Sequence, residues 1–208
     1  QESRLAWGRL VLHARETAGL AATYCAAAPA EAICRHLAVV GWCLKASLRA
    51  GEDDSDVVST MLPPATAETV LAARKRPVAL LRGAHTVVAE EVAAGRLDAQ
   101  AHLSLLTQLH SLNAQIGVCE RLLASPVPPT ITRHTSRVLL SWLACVPLGL
   151  ESLGLALPAV ALATLGTSYV MVGIDQIGLE LEQPFQLLPM NSLAAALTRD
   201  VVDEISVH

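Results

Sequence analysis

The sequence predicts an all-α membrane protein in which a soluble helical bundle precedes a transmembrane helical hairpin. Of its 208 residues, 52% are hydrophobic and 16% are charged, whereas soluble domains carry roughly 25% charged residues. Only 3% are aromatic, so the apolar residues are chiefly alanine, leucine and valine, which mostly favour helices. The composition therefore predicts helices covered by lipid or by partner proteins.

Residues 1–130 are predicted to form the bundle. The helix over residues 30–50 has an apolar middle that is shorter than the roughly 20 residues needed to span a bilayer, so we expect it to be buried in the bundle. Residues 51–59 are interpreted as an acidic, solvated turn. The long helix from Asp98 to about Ser125 carries apolar residues at alternating steps of four and three, which is typical of a bundle seam. These residues are Leu105, Leu109, Leu112, Ile116, Cys119 and Leu123.

Residues 131–175 are predicted to form the hairpin. The block from Val138 to Leu150 would span only about 20 Å at about 1.5 Å per residue, so it crosses a membrane only if its helix begins near Thr132. The block over residues 153–174 is long enough alone. No lysine or arginine occurs from residue 138 to residue 198, so the positive-inside rule places both ends of the hairpin on the cytosol-like side and the turn at Glu151 on the other.

Acidic residues mark the turn and the exit of the hairpin, and they are the ion-path or gating candidates. Glu151 is either a carboxylate in an ion path or a residue at the membrane interface. The other candidates are Asp175, Glu180 and Glu182, for which an acidic helix end emerging into water is the alternative. Residues 176–208 are predicted to form an acidic exit segment and a C-terminal helix.

The sequence contains none of the usual catalytic or cofactor-binding motifs. GxSxG, GxGxxG, HExxH and phosphate-binding loops are absent, so we expect no enzyme activity, no cofactor and no metal site. The net charge of −4 predicts no nucleic-acid partner. The five cysteines are in no CxxC spacing, which predicts free buried thiols in a reducing compartment.

Two motifs flank the hairpin. The first motif, at the start of the hairpin, comprises Cys119-Glu120-Arg121, Pro126-Val127-Pro128 and Arg133-His134-Thr135-Ser136-Arg137. The second motif, at its end, is GIDQIGLELEQPF over residues 173–185. These resemble the lead-in and exit motifs of the bestrophin-like anion channels, in particular of their bacterial and plastid branch. The resemblance assigns structural roles to Cys119, Glu120, Arg121, Pro126, Pro128, Arg133, His134, Arg137, Pro184 and Phe185.

The resemblance implies a subunit that conducts chloride or bicarbonate passively through a membrane, in a pentamer around a central pore. In the family, two further membrane helices lie before the segment containing Trp7, and the second of them forms the narrow neck. The chain would then be the second half of a four-helix subunit. The alternative is a non-conducting structural subunit of a larger membrane complex, such as a photosynthetic one. The expected location is the chloroplast thylakoid membrane, with a bacterial inner membrane as the alternative.

Overall fold

The computed structural model describes residues 2–124, 129–182 and 185–206, and these residues form nine helices and no strand. The all-helical prediction is therefore confirmed. The helices are α1 (Glu2–Tyr24), α2 (Ala27–Leu48), α3 (Ser55–Met61), α4 (Pro64–Ala72), α5 (Arg76–Ala93), α6 (Ala99–Ala124), α7 (Pro129–Ser152), α8 (Leu157–Glu182) and α9 (Met190–Ser206). The chain divides into two compact units, Gln1–Ala124 with Leu188–His208, and Ser125–Leu187. Helices α1–α6 and α9 form the helical bundle, and α7 and α8 form the hairpin.

Helix α2 lies at the centre of the bundle, where it contacts α1, α5 and α9. Its buried side chains lie on several faces of the helix, including Leu37, Val39, Val40 and Leu44. A helix that is apolar around its circumference has to be covered on all sides. The neighbouring helices of the bundle cover α2, so its apolar middle belongs to the bundle core, as the sequence predicted.

Helix α6 packs on α1 through the seam that the sequence predicted. The buried members are Leu105, Leu109, Leu112, Ile116 and Cys119. Leu123, however, is 48% exposed. It lies in the last turn of α6, so the buried seam ends at Cys119.

Helix α9 belongs to the bundle, although the sequence predicted it in one segment with the acidic exit. Its residues Met190, Ala194, Leu197 and Val201 are buried, and the helix packs on α1 and α2. At Gly41 of α2, an added Cβ atom would lie 3.3 Å from the Cα atom of Ala194. The absence of a side chain at this position therefore permits the close approach of the two helices.

The acidic stretch after α2 is only partly a solvated turn. Asp53 is exposed and accepts hydrogen bonds from the backbone N–H and the hydroxyl group of Ser55, at 3.1 and 2.7 Å. Asp54, in contrast, is 2% exposed and pairs with the guanidinium group of Arg76. The interpretation of residues 51–59 as a solvated turn is therefore wrong for Asp54, because an arginine from the start of α5 compensates for the cost of burying the carboxylate.

The five cysteine thiols are free. Cys34, Cys43 and Cys119 are buried as expected, Cys25 is partly buried, and Cys145 on α7 is exposed. Burial raises the pKa of the thiols of Cys34 and Cys119 to about 12. Burial and, secondarily, a hydrogen bond with Asp54 raise the pKa of Cys43 as well. The three buried thiols are thus protonated and unreactive at neutral pH.

Candidate functional site

The hairpin has the dimensions of a membrane-spanning unit. Helix α7 has 24 residues and α8 has 26, so at about 1.5 Å per residue they are about 36 and about 39 Å long, against about 30 Å for the hydrocarbon core. The apolar block from Val138 to Leu150 is too short to span the hydrocarbon core by itself. Helix α7 begins earlier, at Pro129, and is therefore long enough. Among the described residues, Leu157–Gly178 is the one segment that is long and apolar enough by itself to cross a membrane.

A four-residue turn over residues 153–156 reverses the chain between α7 and α8. Gly154 has a φ of +74°, which a residue without a Cβ atom adopts readily. Its N–H donates to the carbonyl oxygen of Glu151 at 2.9 Å. The short connection makes the two helices neighbours in contact with each other.

The two faces of α8 differ in chemistry. Val160 is buried and Thr164, Ser168 and Asp175 are partly exposed. These residues lie on one face because they follow one another at steps of four, four and seven, which are close to whole helical turns. Asp175 bonds to α7, so this is the face that α7 covers. The opposite face carries apolar side chains that are more than two-thirds exposed, namely Leu162, Leu165 and Tyr169. Polar groups inside and apolar groups outside are the arrangement expected of helices in lipid.

A hydrogen bond joins the two helices between the N-terminal part of α7 and the C-terminal part of α8. The hydroxyl group of Ser136 donates to Oδ2 of Asp175 at 3.0 Å. Beside this bond lies a groove of about 330 Å³, whose lining includes Ile131, Leu139 and Met171. The carboxylate of Asp175 therefore has a partner within the hairpin and links α8 to α7.

The acidic candidates are distributed over both ends of the hairpin. Glu151 is exposed in the last turn of α7 and forms no ion pair within the part of the chain that the structure describes. Asp175 lies 18 positions after Leu157, the first residue of α8, which corresponds to about 27 Å along the helix, so Glu151 and Asp175 do not form one site. Glu180 and Glu182 lie in the last turns of α8, and their side chains lie outside the described part.

The basic motif residues lie on the first turns of α7. Arg133, His134 and Arg137 are exposed, and over residues 2–124, 129–182 and 185–206 none of them forms an ion pair. Three basic side chains thus stand at the end of the hairpin where Ser136 meets Asp175. The end where the chain turns carries Glu151 instead. From this charge asymmetry the sequence predicts, by the positive-inside rule, that both ends of the hairpin lie on the cytosol-like side.

The other motif residues have structural contacts where the structure describes them. Cys119 is buried, Glu120 pairs with Lys75 at 2.6 Å, and Arg121 pairs with Glu2 at 2.7 Å. Phe185 is 3% exposed. Pro126, Pro128 and Pro184 lie outside the described residues.

Sequence reasoning missed two hydroxyl groups of the hairpin. Ser136 was part of a motif, but nothing in the sequence identified it as the donor to Asp175. The hydroxyl oxygen of Thr164 is buried, and the described residues offer it no hydrogen-bond partner. The sequence signal that could have identified the polar face of α8 is the recurrence of Thr164, Ser168 and Asp175 on one side of the helix.

Comparison with known proteins identifies the family. The family model described as Bacterial/Fungal Bestrophin protein matches residues 1–203. A voltage-dependent anion channel-forming protein of Ralstonia nicotianae is 30% identical over 99% of this chain and 70% of its own length. The chloroplastic voltage-dependent chloride channel 1 of Arabidopsis thaliana is 24% identical over 84% of this chain but only 41% of its own length.

Solved structures have the same fold. A bacterial bestrophin homologue from Klebsiella pneumoniae superposes with a TM-score of 0.92 at 24% sequence identity, covering 100% of this chain and 78% of that one. The family assignment itself rests on the family model over residues 1–203 and on the 30% identity to the Ralstonia protein. The chain belongs to the bacterial and fungal bestrophin family.

Proposed function

We propose that the chain is a subunit of a membrane anion channel that conducts chloride passively. The observation that carries the proposal is the family match over residues 1–203, together with a relative that is 30% identical and is named an anion channel-forming protein. The two Arabidopsis relatives are named chloride channels. None of these relatives is named as a structural subunit, and we therefore favour conduction over the non-conducting alternative.

The hairpin supports this function by its surface chemistry. Its outward apolar face suits lipid or a neighbouring apolar surface, and the exposed guanidinium groups of Arg133 and Arg137 create a positive local potential. A positive potential at the end of a membrane unit raises the local concentration of anions. The basic end of α7 is therefore suited to an anion entrance.

The carboxylates have other roles in this proposal. A negative charge in the path would repel chloride, and Asp175 already accepts a hydrogen bond from Ser136. We assign Asp175 to positioning α7 against α8, which makes it a candidate for gating rather than for coordination of the ion. Glu151 is assigned to the membrane interface at the turn. Glu180 and Glu182 retain their sequence-based assignment as gating candidates.

We further propose bicarbonate as a second permeant anion and a pentamer as the assembly around the pore. A closed ring of identical subunits places equivalent surfaces around one axis, where apolar constrictions gate by dewetting. The chloroplastic relatives support a thylakoid location, and the Ralstonia and Nostoc relatives support a bacterial membrane as the alternative.

The test is chloride efflux from liposomes that contain the full-length protein as it is made in the cell. We expect efflux that exceeds the rate in protein-free liposomes. The variant Arg133→Gln/Arg137→Gln should slow efflux, whereas Arg199→Gln, which neutralises an exposed arginine on α9, should leave it unchanged. Efflux equal to that of protein-free liposomes at every voltage would contradict the proposal.

A further inference from the structure

A groove within the helical bundle has the features of a ligand site. It lies between α2, α4 and α5 and has a volume of about 480 Å³, within the range of roughly 300–1,000 Å³ that small-molecule sites occupy. Its lining combines methyl groups with the polar side chains of His36, Thr66, Thr69, Arg82 and Thr86. We propose that this groove binds a small organic carboxylate.

The charge of the groove selects an anion. No aspartate or glutamate is among its lining residues. Arg82 is exposed at the groove and has no ion-pair partner over the described ranges. The neighbouring Arg35, by contrast, already pairs with Glu31 at 2.6 Å. A guanidinium group binds a carboxylate through two parallel hydrogen bonds, so Arg82 is the anchor for the ligand's charged end.

His36 provides the second polar contact. It is 8% exposed, and its Nδ1–H donates to the carbonyl oxygen of Ala32 at 2.7 Å. Because a carbonyl oxygen only accepts hydrogen bonds, Nδ1 carries a proton, and in the tautomer with this single proton Nε2 is an acceptor. A Cβ atom at Gly83 would clash with the His36 ring, so the glycine allows the ring to lie directly against the backbone of α5.

The remaining lining defines the other end of the ligand. The hydroxyl groups of Thr69 and Thr86 donate to the carbonyl oxygens of Ala65 and Arg82, at 2.9 and 3.0 Å. Their oxygens, like Nε2 of His36, are then available as acceptors. The methyl groups between these polar atoms suit a short aliphatic chain. The geometry therefore fits a carboxylate of a few carbon atoms that carries a hydroxyl donor at its other end.

Calorimetric titration of the full-length protein in detergent tests this site, with 4-hydroxybutyrate, butyrate and 1,4-butanediol as probes. We expect 4-hydroxybutyrate to bind more tightly than butyrate, and the uncharged diol not to bind. Arg82→Gln should weaken the binding of 4-hydroxybutyrate at least about tenfold, since it removes a charge-assisted pair of hydrogen bonds. Arg9→Gln, at an exposed arginine of α1, is the matched control and should bind like the unmodified protein.

A variant of His36 tests the contact with the hydroxyl end of the ligand. His36→Phe should abolish the preference for 4-hydroxybutyrate over butyrate, and its melting temperature shows whether it is folded. Absence of binding by both carboxylates, or unchanged affinity in Arg82→Gln, would overturn the proposal. Because binding is measured without ion flux, its failure leaves the channel function untouched, and failure of conduction leaves this site untouched.

Discussion

Replacement of Arg76 by glutamine tests whether the buried ion pair with Asp54 stabilises the bundle. The variant leaves a carboxylate that is 2% exposed without its counter-charge. Breaking a buried pair by removing one partner costs about 3–5 kcal/mol. The Arg76 side chain is 32% exposed, and water reaching this site reduces the loss, so we expect a value of about 3 kcal/mol, at the lower end of the range.

This loss corresponds to a large change in melting temperature. For 150–250 residues, about 1 kcal/mol shifts the melting temperature by roughly 2–4 °C, so Arg76→Gln should lower it by about 6–12 °C. Thermal unfolding in detergent, followed by circular dichroism, measures the shift. Arg74→Gln, at an exposed arginine without a described ion pair, should change stability by less than about 0.5 kcal/mol.

A double variant separates the ion pair from other effects of the substitution. Asp54→Asn/Arg76→Gln removes the buried charge together with its partner, and it should be more stable than Arg76→Gln alone. A melting temperature of Arg76→Gln within about 2 °C of that of the unmodified protein, which corresponds to at most about 1 kcal/mol, would refute the reasoning. A double variant less stable than Arg76→Gln would refute it too.

Three further predictions concern the hairpin and the bundle surface. Ser136→Ala removes the donor to Asp175 and should lower the free energy of unfolding by about 1.5–3 kcal/mol, measured by urea denaturation in detergent. Hydrogen bonds from Arg96 lower the pKa of Glu91, so this pair stabilises the fold above the unfolded-state pKa of about 4.3 and loses its contribution as the pH falls through the folded-state pKa. Arg96→Gln should therefore reduce the fall in melting temperature that accompanies acidification below about pH 4.3. An unchanged fall would show that the Glu91–Arg96 pair does not contribute to this pH dependence. Cys145, exposed on α7, should be shielded from a charged maleimide in lipid vesicles, because the hydrocarbon core excludes the reagent, and should react with it once the vesicles are dissolved in denaturant. Reaction in intact vesicles would place it in water.

Local signals in the sequence account for the fold class and for the hairpin. The apolar run over Leu157–Gly178 is long enough to cross a membrane, and the sequence placed the reversal of the chain at Glu151, close to the turn that the structure shows over residues 153–156. The return of α9 to the bundle could not be predicted in this way. Trp42 donates to the hydroxyl group of Thr198 at 3.1 Å across 156 positions of the chain, and no periodicity within either helix indicates that pairing.

The candidate site was predictable to the same degree. Asp175 stood out as the first acidic residue after the second apolar block, and the resemblance identified the basic start of α7. The partner of Asp175 could not be identified, because Ser136 lies 39 positions away and on the other helix. Asp54 was misread for a similar reason, since its partner Arg76 begins a different helix 22 positions later.

The central claim, that this chain forms an anion channel, is tested most directly by the reversal potential of the current. The full-length protein in a planar bilayer should be recorded with a chloride gradient across the membrane and with gluconate balancing the charge. We predict a current that reverses at the equilibrium potential of chloride and shifts with the chloride gradient. A current that reverses at the equilibrium potential of the cation, or no current at any voltage, would contradict the account.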